Sequence, residues 1–150
     1  MNCQELKTKD NAICNKDSII VIRDDLGKKA IKLVISNKVR EEYCYVKISE
    51  ICYEGENCDF LIVRCRDSGR FLVELKGDGN KNKGASQILS TWTNLKGLYP
   101  NVYNNITAIL VSDKSIMTNH TNTNYLRLKK RIYESGSNFI DLKSNTQLEL

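Results

Sequence analysis

Two short runs decide how this chain reads: Cys58-Asp59-Phe60-Leu61-Ile62-Val63-Arg64-Cys65-Arg66 and, after the turn Asp67-Ser68-Gly69, Arg70-Phe71-Leu72-Val73-Glu74-Leu75-Lys76-Gly77. Both are rich in the β-branched, aromatic and aliphatic residues that suit a buried pleated surface, and a short glycine-containing turn joins them. They predict a β-hairpin. The second run is apolar until Glu74 and Lys76 interrupt it. Residues two apart on a strand share a face, so Glu74 and Lys76 project together while Leu75 projects from the other side. The hairpin brings Asp59 within reach of that pair. Charge inside an apolar strand is costly unless the strand end is open or the charge is paired.

The segments on either side extend the pattern. Gly77-Asp78-Gly79-Asn80 breaks the strand, and Ala85, Ile88, Leu89, Trp92 and Leu95 then recur at helical spacing as one buried stripe. Trp92 belongs to that stripe and so to the core, not to a base-stacking platform. Gln87, Thr91 and Asn94 define a separate polar face. The helix ends near Gly97 or before Pro100. Residues 106–112 read as a buried strand, 125–134 as a second helix closed by Gly136, and 138–142 as a returning strand. Upstream, 18–22 and 31–35 alternate around the turn Asp24-Asp25-Leu26-Gly27 as a hairpin, and 43–53 reads as one long strand. The order predicts an α/β (α+β) domain over 1–150 with a mixed sheet flanked by helices and an extra N-terminal hairpin. The core spans about 43–112, and a C-terminal helix and strand occupy 123–142.

Two carboxylates converging at a sheet end make a hard-oxygen site suited to Mg²⁺ or Mn²⁺. A lysine beside them can orient an attacking water or offset charge on a phosphate, which is what phosphodiester hydrolysis needs. Asp59, fifteen residues' distance to Glu74-Leu75-Lys76-Gly77, and a following helix with Gln87 on its polar face together resemble the PD-(D/E)XK nuclease superfamily, which includes restriction endonucleases and Holliday-junction resolvases. The resemblance implies a restriction-endonuclease-like fold. It further implies Asp59, Glu74 and the Leu75 backbone carbonyl as metal ligands, Lys76 as the catalytic lysine and Gln87 as a supporting residue. Cys58 stands where the pattern usually has proline. Such cores usually begin with a helix that supplies another acid; Glu5, Glu41, Glu42 and Glu50 are the candidates, and the sequence does not choose among them. The expected activity is metal-dependent endonucleolytic cleavage of DNA, with a catalytically inactive nucleic-acid- or protein-binding module as the alternative. A double-strand cutter of this size would work as a homodimer.

Composition agrees with a folded domain. The chain has 150 residues, of which 41% are hydrophobic, 27% are charged and one is proline, which excludes a disordered tail or a collagen-like chain. No apolar run approaches the ~18 residues of a membrane helix, and the first residues lack a secretory apolar stretch, so the cytoplasm is the expected compartment. The net charge of +5 is unevenly spread. Residues 62–131 hold 12 Lys and Arg against 4 Asp and Glu, while both flanks are slightly acidic. Such a patch suits a polyanion. Lys81 and Lys83 in the glycine-rich connection, and Arg127 and Lys130 on the second helix, are the expected phosphate contacts. The connection lacks the order of a nucleoside-triphosphate loop, and the one histidine, His120, has no partner in sequence. Six cysteines, Cys3, Cys14, Cys44, Cys52, Cys58 and Cys65, include no Cys-x-x-Cys pair. They are expected as free thiols packed like small hydrophobes.

Overall fold

A computed structural model describes residues 1–23, 31–51, 55–77, 80–100, 102–113 and 123–150. The central hairpin forms as read, with β5 (Phe60–Arg64) antiparallel to β6 (Gly69–Lys76) and Phe60 opposite Val73. On the far side of β5 lies β4 (Tyr43–Lys47), also antiparallel, with β1 (Ile13–Asn15) beyond it as an edge. On the far side of β6 lie β7 (Thr107–Ser112) and β8 (Asn138–Lys143), both parallel to it. The six-stranded sheet therefore has the order β1-β4-β5-β6-β7-β8. Parallel neighbours need long crossovers. Two helices supply them: α2 (Lys81–Leu98) between β6 and β7, and α3 (Thr123–Glu134) between β7 and β8.

Period-two alternation splits the sheet's side chains between two cores. On one face, Val46, Leu61, Val63, Leu72, Ala108 and Leu110 pack against α2, α3 and the short α1 (Cys3–Lys7). On the other, Phe60, Ile62, Phe71, Val73, Leu75, Ile109 and Val111 pack against a second sheet. That sheet contains β2 (Ile19–Arg23), β3 (Lys32–Ser36) and β9 (Gln147–Leu148), in the order β2-β3-β9. β2 and β3 are the expected N-terminal hairpin, although its turn, 24–27, lies outside the described residues, as do Cys52 and His120. The protein is a mixed α/β structure in three layers. No helix among the described residues is long and apolar enough to cross a membrane.

Three readings need correction. The strand expected over 43–53 stops at Lys47, where a single 3-10 turn, Ile48–Glu50, begins. The Ile48 amide there donates to the Asp59 carbonyl at 2.9 Å, so the chain turns across the end of β5 instead of extending past it. The cysteines are not all free: Cys3 is bonded to Cys65 and Cys14 to Cys44, which ties α1 and β1 to the sheet, while Cys58 is a buried thiol. Sequence spacing could not show these pairs, because they join residues 62 and 30 positions apart.

The third correction concerns Lys81. It is fully buried at the start of α2, with its ammonium 2.6 Å from Asp141 of β8. The Tyr125 hydroxyl donates to the other Asp141 oxygen at 2.8 Å, and the Asn82 side chain accepts from the amides of Asn124 and Tyr125. Lys81 thus locks α2 to α3 and β8 and is not available to a phosphate backbone. Removing one partner of a buried ion pair leaves an uncompensated charge, whereas replacing both with apolar groups costs far less. Lys81→Met is expected to lower unfolding free energy by about 3–5 kcal/mol. Combining it with Asp141→Leu should recover most of the loss in urea denaturation. A single-variant loss below about 1 kcal/mol would show that the pair does not hold the helices.

Candidate active site

The last residues of β6 present Glu74 and Lys76 on the helix-facing side, because Leu72, Glu74 and Lys76 share parity while Val73 and Leu75 face the other core. Asp59 stands just before β5, one step beyond the Phe60–Val73 pair and so beside Glu74. Its amide donates to the Val73 carbonyl at 3.0 Å, and its carboxylate accepts the Leu75 amide at 2.7 Å. The side chain therefore extends the hairpin ladder by one bond and fixes the backbone between Glu74 and Lys76.

Helix α2 closes over this point. A Cβ on Gly84 would sit 3.2 Å from Cγ of Glu74, 3.1 Å from Cγ of Lys76 and 2.7 Å from Cδ1 of Leu110, so only glycine allows this approach. The polar face of α2 does the rest. The Gln87 amide nitrogen donates to the Asn57 carbonyl at 2.9 Å. The buried Thr91 hydroxyl accepts the Cys58 amide at 2.8 Å and donates to the Gln87 carbonyl at 2.9 Å. Both side chains thus clasp the segment that leads into Asp59. Burial pushes the neighbouring Cys58 thiol well above its usual range, so it is an inert packing group and not a nucleophile.

Glu74 is wholly inaccessible to solvent, while Lys76 keeps 15% of its side chain exposed at the open end of the strand. The Lys76 ammonium lies 2.5 Å from Glu74 Oε1. Lys76 is the one partner of Oε1, while Oε2 of Glu74 and Oε1 of Gln87 are buried without a donor. Burial first, and then the nearby charge of Asp59, push the Glu74 carboxyl up to about 8, with Lys76 pulling the other way. Unsatisfied buried acceptors are rare and call for an explanation. Glu74 Oε2 and Gln87 Oε1, buried without a donor beside the Asp59 carboxylate, are the kind of oxygen donors that a hard divalent cation takes.

Asp59, Glu74, Lys76 and Gln87 are thus gathered at one sheet end, with Leu75 between them. Among the four candidate upstream acids, Glu5 caps α1, whose Cys3 is bonded to Cys65 past the opposite end of β5. Glu41 and Glu42 precede β4 at that same far end and pair with Arg66 and Lys7. Glu50 alone of the four follows β4 to the Asp59 end, where it accepts a hydrogen bond from Asn11 at 3.0 Å. Lys83 is exposed in the first turn of α2. Arg127 and Lys130 are exposed on α3 and line, with Arg131, Ser90 and Asn94, a cleft between α2 and α3. Thr91, expected only as part of the polar face of α2, and Gly84 also shape the site, and Asp113 lies just past the Ser112 that pairs with Lys76. The polar spacing of Gln87, Thr91 and Asn94 was the available signal for Thr91; nothing in sequence marked Gly84.

A carboxyl raised by burial stabilises the fold below its unfolded value near 4.5 and loses that contribution as pH rises through about 8. Glu74→Gln removes this penalty. In EDTA, the variant should match wild type at pH 4.5 and exceed its Tm by roughly 4–8 °C at pH 9. Equal melting temperatures at pH 9 would mean that the carboxylate is solvated or fully compensated.

No protein-family model, curated protein or solved structure matches this chain, so the reading of the site rests on these residues alone.

Proposed function

We propose that the protein is a metal-dependent endonuclease that hydrolyses phosphodiester bonds in DNA. The observation that carries this reading is the buried, underbonded Glu74 carboxylate held between Asp59 and Lys76 at the open end of β6. Its support extends to topology. Three antiparallel strands β4-β5-β6, a helix, and a strand parallel to β6 follow the order of the restriction-endonuclease-like core.

Asp59, Glu74 and the Leu75 carbonyl would hold Mg²⁺ or Mn²⁺, with Gln87, one helical turn from the Gly84 that packs on Glu74, as the supporting residue. When bound, such an ion polarises a phosphate oxygen and lowers the pKa of a coordinated water. The chain's own groups then have separate tasks. Asp59 keeps the Glu74–Lys76 backbone in register through the Leu75 amide. Glu74, whose carboxyl is raised by burial and by Asp59, gains from a further cation that offsets its charge. Lys76 reaches the solvent edge and can orient the attacking water or offset charge on the phosphate. Lys83, Arg127 and Lys130 supply positive charge for the strand that carries that phosphate, and cutting both strands would require a second copy.

Supercoiled plasmid, linear duplex and single-stranded DNA should be nicked or cut in Mg²⁺ or Mn²⁺ and spared in EDTA. Lys76→Ala and Glu74→Gln should each lower the rate at least about 100-fold, as removal of a positioned acid–base or charge-stabilising group does. Undiminished cleavage in either variant overturns the assignment. Salt-dependent binding by folded wild type, with no cleavage in any metal, would instead show a nucleic-acid-binding module.

A further inference from the structure

Three cysteine sulfurs, with a fourth bonded to one of them, gather at the end of the sheet opposite Asp59. They come from four segments: Cys3 on α1, Cys14 on β1, Cys44 on β4 and Cys65 just past β5. Two disulfides account for Cys3–Cys65 and Cys14–Cys44, and stapling α1 and β1 to the sheet would need nothing more than each pair separately. Yet the two pairs touch: the Cys44 and Cys65 sulfurs are 3.7 Å apart. The Cys3, Cys44 and Cys65 sulfurs all lie within 4.8 Å of one another, and the Cys14 sulfur is bonded to that of Cys44. Among the described residues, this is where three or more potential metal-ligand atoms of Cys, His, Asp and Glu converge.

Tetrahedral zinc has Zn–S bonds of ~2.3 Å, which sets its sulfurs ~3.8 Å apart. The contact between the two pairs already has that length. We propose that, when its disulfides are reduced, this protein binds one Zn²⁺ as a tetrathiolate of Cys3, Cys14, Cys44 and Cys65. A dithiol or phosphine reductant supplies two electrons per disulfide, and two protons complete each pair of thiols. Zn²⁺ then takes the place of the thiol protons, which pass to solvent. Binding would open each former disulfide to the spacing already present between Cys44 and Cys65 and draw the Cys14 sulfur in beside the other three. Cys44 is fully buried and Cys3 nearly so, Cys65 is half-buried and Cys14 is exposed, so the centre has an open side; its soft sulfur donors select Zn²⁺ over Mg²⁺. The ion would replace the disulfides as the clamp on α1 and β1. It would sit at the other end of β5 from Asp59, separate from the carboxylate site.

The test uses the full chain, reduced under anaerobic conditions and titrated with Co²⁺ as a spectroscopic probe and then with Zn²⁺. The expected result is one equivalent of Co²⁺ giving the visible bands of a tetrahedral tetrathiolate, displaced by one equivalent of Zn²⁺. Iodoacetamide footprinting should show Cys3, Cys14, Cys44 and Cys65 protected by Zn²⁺. Cys44→Ser should abolish the bands, and Cys58→Ser should keep them, because Cys58 lies outside the cluster. Footprinting of wild type needs no variant to fold. Failure to bind one equivalent, bands that survive Cys44→Ser, or Zn²⁺ that leaves those four thiols open to alkylation overturns the proposal.

Discussion

A carboxylate without water, placed near the end of the central strand, constrains much of this structure. Glu74 occupies a position that its neighbours Leu72, Val73 and Leu75 fill with hydrocarbon. Leaving charge there carries a desolvation cost that only a partner or a change of protonation can offset. The surroundings do some of each. Lys76 contributes opposite charge from the solvent edge, and the carboxyl moves toward neutrality. Asp59, a second negative charge, makes matters worse electrostatically while holding the backbone in place. Like charges brought together under a helix are a recurring mark of sites that bind a cation or move a proton.

Keeping Glu74 dry requires α2 to lie almost on the strand, and that requirement propagates outward. Gly84 permits the approach, and the polar face of α2 is spent on the chain segment that ends at Asp59. At its first residue the helix is held by the buried Lys81–Asp141 pair, which reaches β8 two strands away, and Asn82 caps α3 next to it. Glu74, Leu110 and Asp141 lie in register across β6, β7 and β8. A shift of α2 relative to the sheet would therefore disturb the carboxylate site and the ion pair together. The rigidity is that of a packed interior with discrete arrangements, not that of a hinged loop.

This geometry explains which parts were legible in sequence. The β5–β6 hairpin, the apolar stripe of α2 and a strand after each helix follow from local periodicity and turn chemistry, and they formed as read. The convergence of Asp59, Glu74 and Lys76 was legible for the same reason, since a hairpin's register is nearly local information. Lys81 was misread because a lysine in a glycine-rich connection looks solvated until its acid arrives from β8, sixty residues later. The 3-10 turn at Ile48 was hidden because its cause is a hydrogen bond to Asp59 on another strand. Sulfur pairing was hidden in the same way: Cys3 meets Cys65 only after α1 has docked. Each of these depends on a long-range partner that single-sequence periodicity does not encode.

The two proposed sites at the ends of β5 would offer opposite coordination chemistry. At the Asp59 end, the donors are carboxylate and amide oxygens, and Lys76 keeps an exposed edge there. At the Cys65 end, the donors are sulfurs contributed by four segments, two of them largely removed from water. Hard and soft donors discriminate between cations by ligand type more than by site size, so magnesium has no reason to compete at the sulfurs. β5 and the bonds at its two ends connect these regions. Cys65 is held by its amide to the Glu42 carbonyl, and Asp59 by its amide to the Val73 carbonyl. A clamp on α1 and β1 at one end therefore stiffens the same strand whose first neighbour presents Asp59 at the other. The sulfur cluster can support the carboxylate site through the sheet without contributing any group to it.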